Sequence, residues 1–391
     1  LWLLGLCLVG CYQTRVRIDD PDGSPPPWDA GRVVPPGPCR EATGVDLLFV
    51  IDNSNSMAEE QVSLAEQLPS FVRALLEPPD ADRDGEPDWL PVPDLHVGVI
   101  TTDMGTGGFA VPTCGNPDFG DDGVLRTQGR TDIEGCRATY PSFFAYEAGG
   151  RPVEELAFDV GCVAQAGIGG CGFEQQLEAM LKALSPAAPT AYTSASYVPP
   201  TFFRGTAGHG LGANAGFVRD DTLLAVVIVT DEEDCSAADP DIFQLDSPRF
   251  GATDLNLRCF VHGSQVLHPL ARYIEGLAAL RAGRPDLLAF GLIVGVPEDL
   301  AVASPSAGDF ERILADPRME ERVDPTNPTR LTPSCNVMGR GVAFPPRRLV
   351  RVAQAFGPER STVQSICQED FAPAAGALAR LFGRRACGSF E

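Results

Sequence analysis

The residues best placed to do chemistry are Asp52, Ser54 and Ser56, three oxygen-bearing side chains at alternate positions. They follow the mostly apolar run Val45–Ile51, which reads as a strand buried on both faces of a parallel sheet. Asp52 then falls at the carboxyl end of that strand, where open α/β sheets bind their ligands. One carboxylate and two hydroxyls in a short loop suit a hard cation such as Mg2+, which takes oxygen ligands. A second acidic strand tip lies further on, where Thr222–Thr230 runs into Asp231-Glu232-Glu233-Asp234. An ordinary acidic turn explains one such carboxylate, but not why both long buried strands end in Asp. Ser56 with Glu59 also fits a capping box for the next helix. Capping and coordination are compatible uses of a serine oxygen.

Asp-x-Ser-x-Ser between a buried strand and a helix resembles the metal-ion-dependent adhesion site (MIDAS) of von Willebrand factor type A (VWA) domains. The resemblance covers about half the chain, its core strands and three helices. It implies an α/β fold with a doubly wound, mostly parallel central sheet flanked by helices (VWA/Rossmann-like), here with disulfide-pinned loop insertions. It implies that Asp231 matches the last metal-site aspartate and converges on Asp52, although Glu232 stands where the family has glycine. The family takes a threonine from the loop before a later helix; this chain has Gly172 and Glu174 there. Glu174 either replaces that ligand or only favours the helix N-terminus. The implied cofactor is a divalent cation, Mg2+ first, with Mn2+ or Ca2+ as alternatives. Serines carry no formal charge, so the cation stays under-neutralised with one position open. A carboxylate from a protein partner fills it, which makes the chain a binding or adhesion module rather than an enzyme.

Two other readings stand beside it. An aspartate at a strand tip also resembles the haloacid-dehalogenase-type phosphatases, with Asp52 as nucleophile. Their acid/base aspartate two residues on is Ser54 here, and the only lysine is Lys182. The third reading is a structural envelope lipoprotein with a degenerate, metal-free site. Serine-hydrolase and zincin chemistry lack their motifs: there is no Gly-x-Ser-x-Gly and no His-Glu-x-x-His, and the histidines are His96, His209, His262 and His268.

A net charge of −23 over 391 residues argues against a nucleic-acid partner. Twelve cysteines without a Cys-x-x-Cys pair fit disulfides in an oxidising compartment better than zinc. Pairing of sequence neighbours gives Cys114–Cys136, Cys162–Cys171 and Cys235–Cys259, with Cys335, Cys367 and Cys387 pinning the tail. Residues 1–10 read as a signal-peptide core. Leu8-Val9-Gly10-Cys11 resembles a bacterial lipobox, which implies lipidation of Cys11 and a lipid anchor in the bacterial cell envelope, the outer membrane before the inner. Residues 11–38, rich in proline, then form a semi-rigid tether.

The rest of the chain must position the site. Residues 39–391 read as the VWA-like domain, with insertions at about 104–170 and 186–220 and a C-terminal extension over about 296–391. A helix is expected over Met57 to Leu76, with Ala58, Val62, Ala65, Leu68, Val72 and Leu75 inward and Pro69 kinking or restarting it. Asp80, Asp82 and Asp84, followed by Gly85, resemble the first half of an EF-hand calcium loop, without the closing glutamate. Leu95 to Thr102 reads as a strand with a structural His96. Asp103 behind it is a turn starter before Gly105 in preference to a neighbour of the metal. Further expectations are a helix with Phe173, Leu177, Met180, Leu181 and Leu184 on one face and ended by Ser185-Pro186, a helix over Gln265 to Arg281, a strand over Leu287 to Val294, and helices near 347–356 and 371–382. Alternating strands and helices argue for a doubly wound sheet.

Overall fold

The computed structural model describes residues 42–81, 83, 87–337 and 341–387. The signal segment, Cys11, the tether, and Asp82 and Asp84 of the acidic loop lie outside those residues.

In chain order the elements are β1 (Val45–Ile51), α1 (Ala58–Leu76), β2 (Asp94–Thr101), β3 (Phe143–Glu147), α2 (Val153–Ala164), α3 (Gln176–Leu184), β4 (Leu223–Thr230), α4 (Arg258–Val266), α5 (Ala271–Ala279), β5 (Leu288–Val294) and α6 (Ala307–Ala315). Two small hairpins follow, β6 (Val323–Asp324) with β7 (Asn327–Leu331) and β8 (Cys335–Asn336) with β9 (Val342–Ala343), then α7 (Arg347–Phe356), β10 (Ser361–Ser365) and α8 (Ala372–Cys387). The protein is α/β: one six-stranded sheet in the order β10-β5-β4-β1-β2-β3, parallel throughout except for antiparallel β3 at one edge.

Strand alternation divides the core in two. Leu47, Phe49 and Ile51 of β1 face α1, α2 and α8, together with Leu223, Ala225 and Val227 of β4. Leu48 and Val50 face the other way, with Val226 and Ile228, against α3, α5, α6 and α7. Both faces are covered, which is why β1, β4 and β5 are nearly continuous apolar runs.

Several expectations need correcting. The helix expected over Gln265 to Arg281 is only α5 with the last two residues of α4, because Pro269 has no N–H to donate and disfavours helical backbone at His268. Pro69, in contrast, sits inside an uninterrupted α1, and Ala58 is exposed rather than inward. The stretch 104–170 carries β3, which is short and half-exposed, and α2, which is mostly buried.

Among the described residues four disulfides join Cys114–Cys171, Cys136–Cys162, Cys235–Cys259 and Cys335–Cys367. Cys235–Cys259 is the expected pair, but Cys114–Cys136 and Cys162–Cys171 are not formed. Cys162 lies on the buried side of α2 in the main core, whereas Cys171 belongs with Cys114 to a separate cluster around Phe173, Phe243 and Phe250. Nine residues apart in sequence, they are held by different parts of the fold.

Candidate metal centre

The site begins with strand register. β1 and β4 are parallel neighbours with Ile51 opposite Val229, and the ladder continues one residue further, Asp52 N donating to Val229 O at 2.9 Å. Asp52 and the Thr230-Asp231 tip are therefore adjacent. Asp52 is fully buried. Its Oδ1 accepts from Ser54 N at 2.8 Å and its Oδ2 from the Thr230 hydroxyl at 2.6 Å.

The two serines complete a chain of oxygens. Ser54 Oγ and Ser56 Oγ lie 3.0 Å apart, and Ser56 Oγ donates to Asp231 Oδ1 at 3.2 Å. The two acidic strand tips thus meet around the hydroxyls. Ser56 is spent on Asp231 rather than on capping: α1 starts at Ala58, after the tight turn Asn55–Met57, and no side chain caps it. Asp52, Ser54 and Asp231 are buried while Ser56 stands exposed at the rim, so the cluster opens outward.

Neighbouring loops fix this arrangement. Gln61 of α1 donates to Asp52 O at 2.6 Å and to Gly167 O at 2.7 Å, and accepts from Gly167 N at 2.9 Å. Gly170 N donates to Asn53 O at 2.9 Å. A Cβ on Gly170 would collide with the Asn53 amide, so a larger residue there would have to push that side chain aside.

Electrostatics set the site apart. Glu174, buried just ahead of α3, and Glu232 both interact with Asp52. Among the described residues no arginine or lysine pairs with Asp52, Asp231, Glu174 or Glu232. Burial, then the charges of Asp52, Glu232 and Asp231, pushes Glu174 well above the ordinary carboxylate range. Burial, then Asp52 and Glu232, does the same to Asp231. Burial and Asp52 raise Glu232 to about 8. Burial also raises Asp52, against hydrogen bonds from Thr230 and Ser54. Asp231 Oδ2 is buried without a hydrogen-bond partner. An all-oxygen donor set with surplus negative charge and one orphaned carboxylate oxygen fits a hard divalent cation.

The acidic run after β4 divides its work. Asp231 and Glu232 belong to the cluster. Glu233 instead accepts from Arg348 N at 2.8 Å at the start of α7. Asp234 accepts from Leu177 N at 3.0 Å at the start of α3 and from Arg348 Nε at 3.0 Å.

Sequence reasoning missed Thr102. The tip of β2 lies beside β1, with Ile51 opposite Thr101, and the Thr102 side chain interacts with Asp52. Its buried hydroxyl makes no well-formed hydrogen bond. The signal available was position: it stands one residue beyond a strand adjacent to β1, as Asp52 does.

Other candidates fall away from the centre. Asp103 is the turn starter it was read as, its Oδ1 accepting from Gly105 N at 2.9 Å. It approaches Cys114 and Cys171 within 4.8 Å, but those sulfurs are bonded to each other and are not free thiolates. His96 is structural, 3.0 Å from Phe217 O and 3.8 Å from Asp46. Lys182 is fully buried and binds Asp122 at 2.5 Å and Thr206 Oγ1 at 2.9 Å.

Comparison with known protein families and with characterised proteins finds no match to this chain. No helix among the described residues is long and apolar enough to cross a membrane.

Proposed function

We propose that the chain is a VWA-like, metal-ion-dependent protein-binding module that grips an acidic group of its partner through a divalent cation. Asp52, Ser54, Ser56 and Asp231 hold the ion, directly or through water, with Glu174 and Thr102 as further oxygens. Mg2+ fits first, with Mn2+ or Ca2+ as alternatives. When bound, the ion supplies a Lewis-acidic point for an incoming carboxylate. The chain's residues fix its place and, at the exposed Ser56 rim, leave it accessible.

The observation that carries this reading is the convergence of the Asp52 and Asp231 strand tips through Ser56, in a cluster without a protein cation. The phosphatase reading loses support, because Lys182 is already engaged by Asp122 and Thr206. Attachment to the bacterial envelope through lipidated Cys11 remains part of the proposal and rests on the sequence resemblance alone.

The test is Mn2+ binding followed by paramagnetic resonance. Wild-type protein should bind one ion that EDTA removes, and Asp52→Asn should lose it. Equal Mn2+ binding by wild type and variant would refute the assignment.

A further inference from the structure

Beside the carboxylate cluster lies a cavity of about 870 Å³. That is ample for a bulky side chain or a drug-sized ligand, since such pockets run from roughly 300 to 1,000 Å³. Glu174 and Glu232 belong to both cluster and cavity, so the cavity borders the cluster on that side.

Its walls differ in character. The α4–α5 side carries the apolar residues Phe260, Leu267, Leu270 and Ile274, with Arg272 and Glu275 among them. Phe260 is exposed, and Leu270 and Ile274 are only half-buried, although burying such side chains fully is favourable. The α7 side carries Arg351 and Arg347, the latter already donating to Leu314 O and Met319 O. Arg351 interacts with Glu321, yet among the described residues it makes no hydrogen bond.

We propose that this cavity reads the residue beside the gripped carboxylate: the ligand is an acidic peptide segment whose bulky apolar side chain lies along α4 and α5 while its negative charge faces the cation and the α7 arginines. This deepens the functional reading above and rests on it. A purely polar segment leaves the apolar wall wet.

The test uses the full chain loaded with Mn2+, with loading read by paramagnetic resonance. Acetate and 3-phenylpropionate are titrated against the water-proton relaxation of the bound ion. Both carry one carboxylate, and only the second carries an apolar body. 3-Phenylpropionate should displace ion-bound water at about tenfold lower concentration. Ala271→Trp, at the cavity wall, should remove that advantage and leave acetate unchanged. Ile274→Glu, which sets a negative charge in the apolar wall, should do the same if the tryptophan variant folds poorly. Normal Mn2+ loading with equal potency of the two carboxylates overturns the pocket alone, as does an advantage that survives both variants. Failure to load Mn2+ overturns the cation site and the pocket with it.

Discussion

Replacing Asp231 by Asn should make the cation-free protein more stable and the cation-loaded protein less so. Asp231 is fully buried, and its Oδ1 accepts from Ser56 while Oδ2 has no hydrogen-bond partner. Leaving a buried acceptor unsatisfied costs about 1–3 kcal/mol, more when it is charged. Asparagine keeps an oxygen for Ser56, removes the charge that faces Asp52 and Glu232, and offers them an N–H donor. In EDTA at alkaline pH the variant should therefore gain about 1–3 kcal/mol, or roughly 2 °C in Tm for each kcal/mol. Wild-type protein at a hundred times the cation Kd gains about 2.7 kcal/mol from ligation, and the variant should gain little of it. The sign of the pH dependence is fixed too. Folding raises the pKa of Asp231, so its favourable share is complete below the ordinary carboxylate range and is lost as pH rises through the folded value. The variant's advantage in EDTA should shrink as the pH is lowered towards that range. Thermal unfolding with disulfides intact, in EDTA and in Mg2+, at two pH values, measures all four quantities. A variant that is destabilised in EDTA, or that keeps the full Mg2+ shift, refutes the claim that this cluster is a charge surplus awaiting a cation.

Glu232, held at about 8 by burial and Asp52, must lose its proton before it can face a cation; Mn2+ affinity should rise at least about fivefold from pH 7 to pH 8, and about fivefold less steeply in Glu232→Gln. Burial lifts Asp103 from 3.8 to about 6, so roughly 3 kcal/mol present below pH 4 should be lost as pH rises through 6, a slope that urea titrations should find missing in Asp103→Asn. The Cys114–Cys171 bridge spans 57 residues, and replacing both cysteines by serine should cost about 4 kcal/mol in the loop-entropy account, read as a lower urea midpoint. Asp234→Ala breaks the ion pair with Arg348 and frees Leu177 N; it should cost about 3–5 kcal/mol while Mn2+ binding, measured on the folded fraction, persists.

The strands that carry the site were legible because parallel strands covered on both faces must be apolar almost throughout. That put β1, β4 and β5 in view and placed Asp52 and Asp231 at their tips. β10 was not visible for the opposite reason. Its five residues, Ser-Thr-Val-Gln-Ser, are all buried, but their polar groups are satisfied locally. Ser361 Oγ donates to Ala353 O at 2.6 Å, and Gln364 Nε2 to Val302 O at 2.9 Å. A buried polar strand with tertiary partners has the composition of a loop. Thr102 was hidden for a related reason: its place beside Asp52 is a matter of strand register, which the order of residues does not reveal. The disulfides show the same limit, since Cys162 and Cys171 are sequence neighbours that the fold sends to separate clusters.

A further argument for a cation from outside is that most of the other buried acids among the described residues are paired, Asp103 being an exception. Asp46 has Arg219 and Arg281. The half-buried Asp122 has Lys182 and His209, and Asp159 has Arg137 and Arg151. Glu178 binds Arg272, Asp234 binds Arg348, and Asp324 binds Arg330. Burying an ionised carboxylate without such a partner is costly, and with 30 basic residues to 53 acidic ones the chain spends its guanidinium groups where they relieve that cost. Asp52, Asp231, Glu174 and Glu232 stand together without one. Neutral protonated acids alone could fill that space, but they leave Asp231 Oδ2 without a hydrogen bond. On the proposed reading a divalent ion would relieve the charge and engage that oxygen at once, in place of the arginine that pairs the other acids.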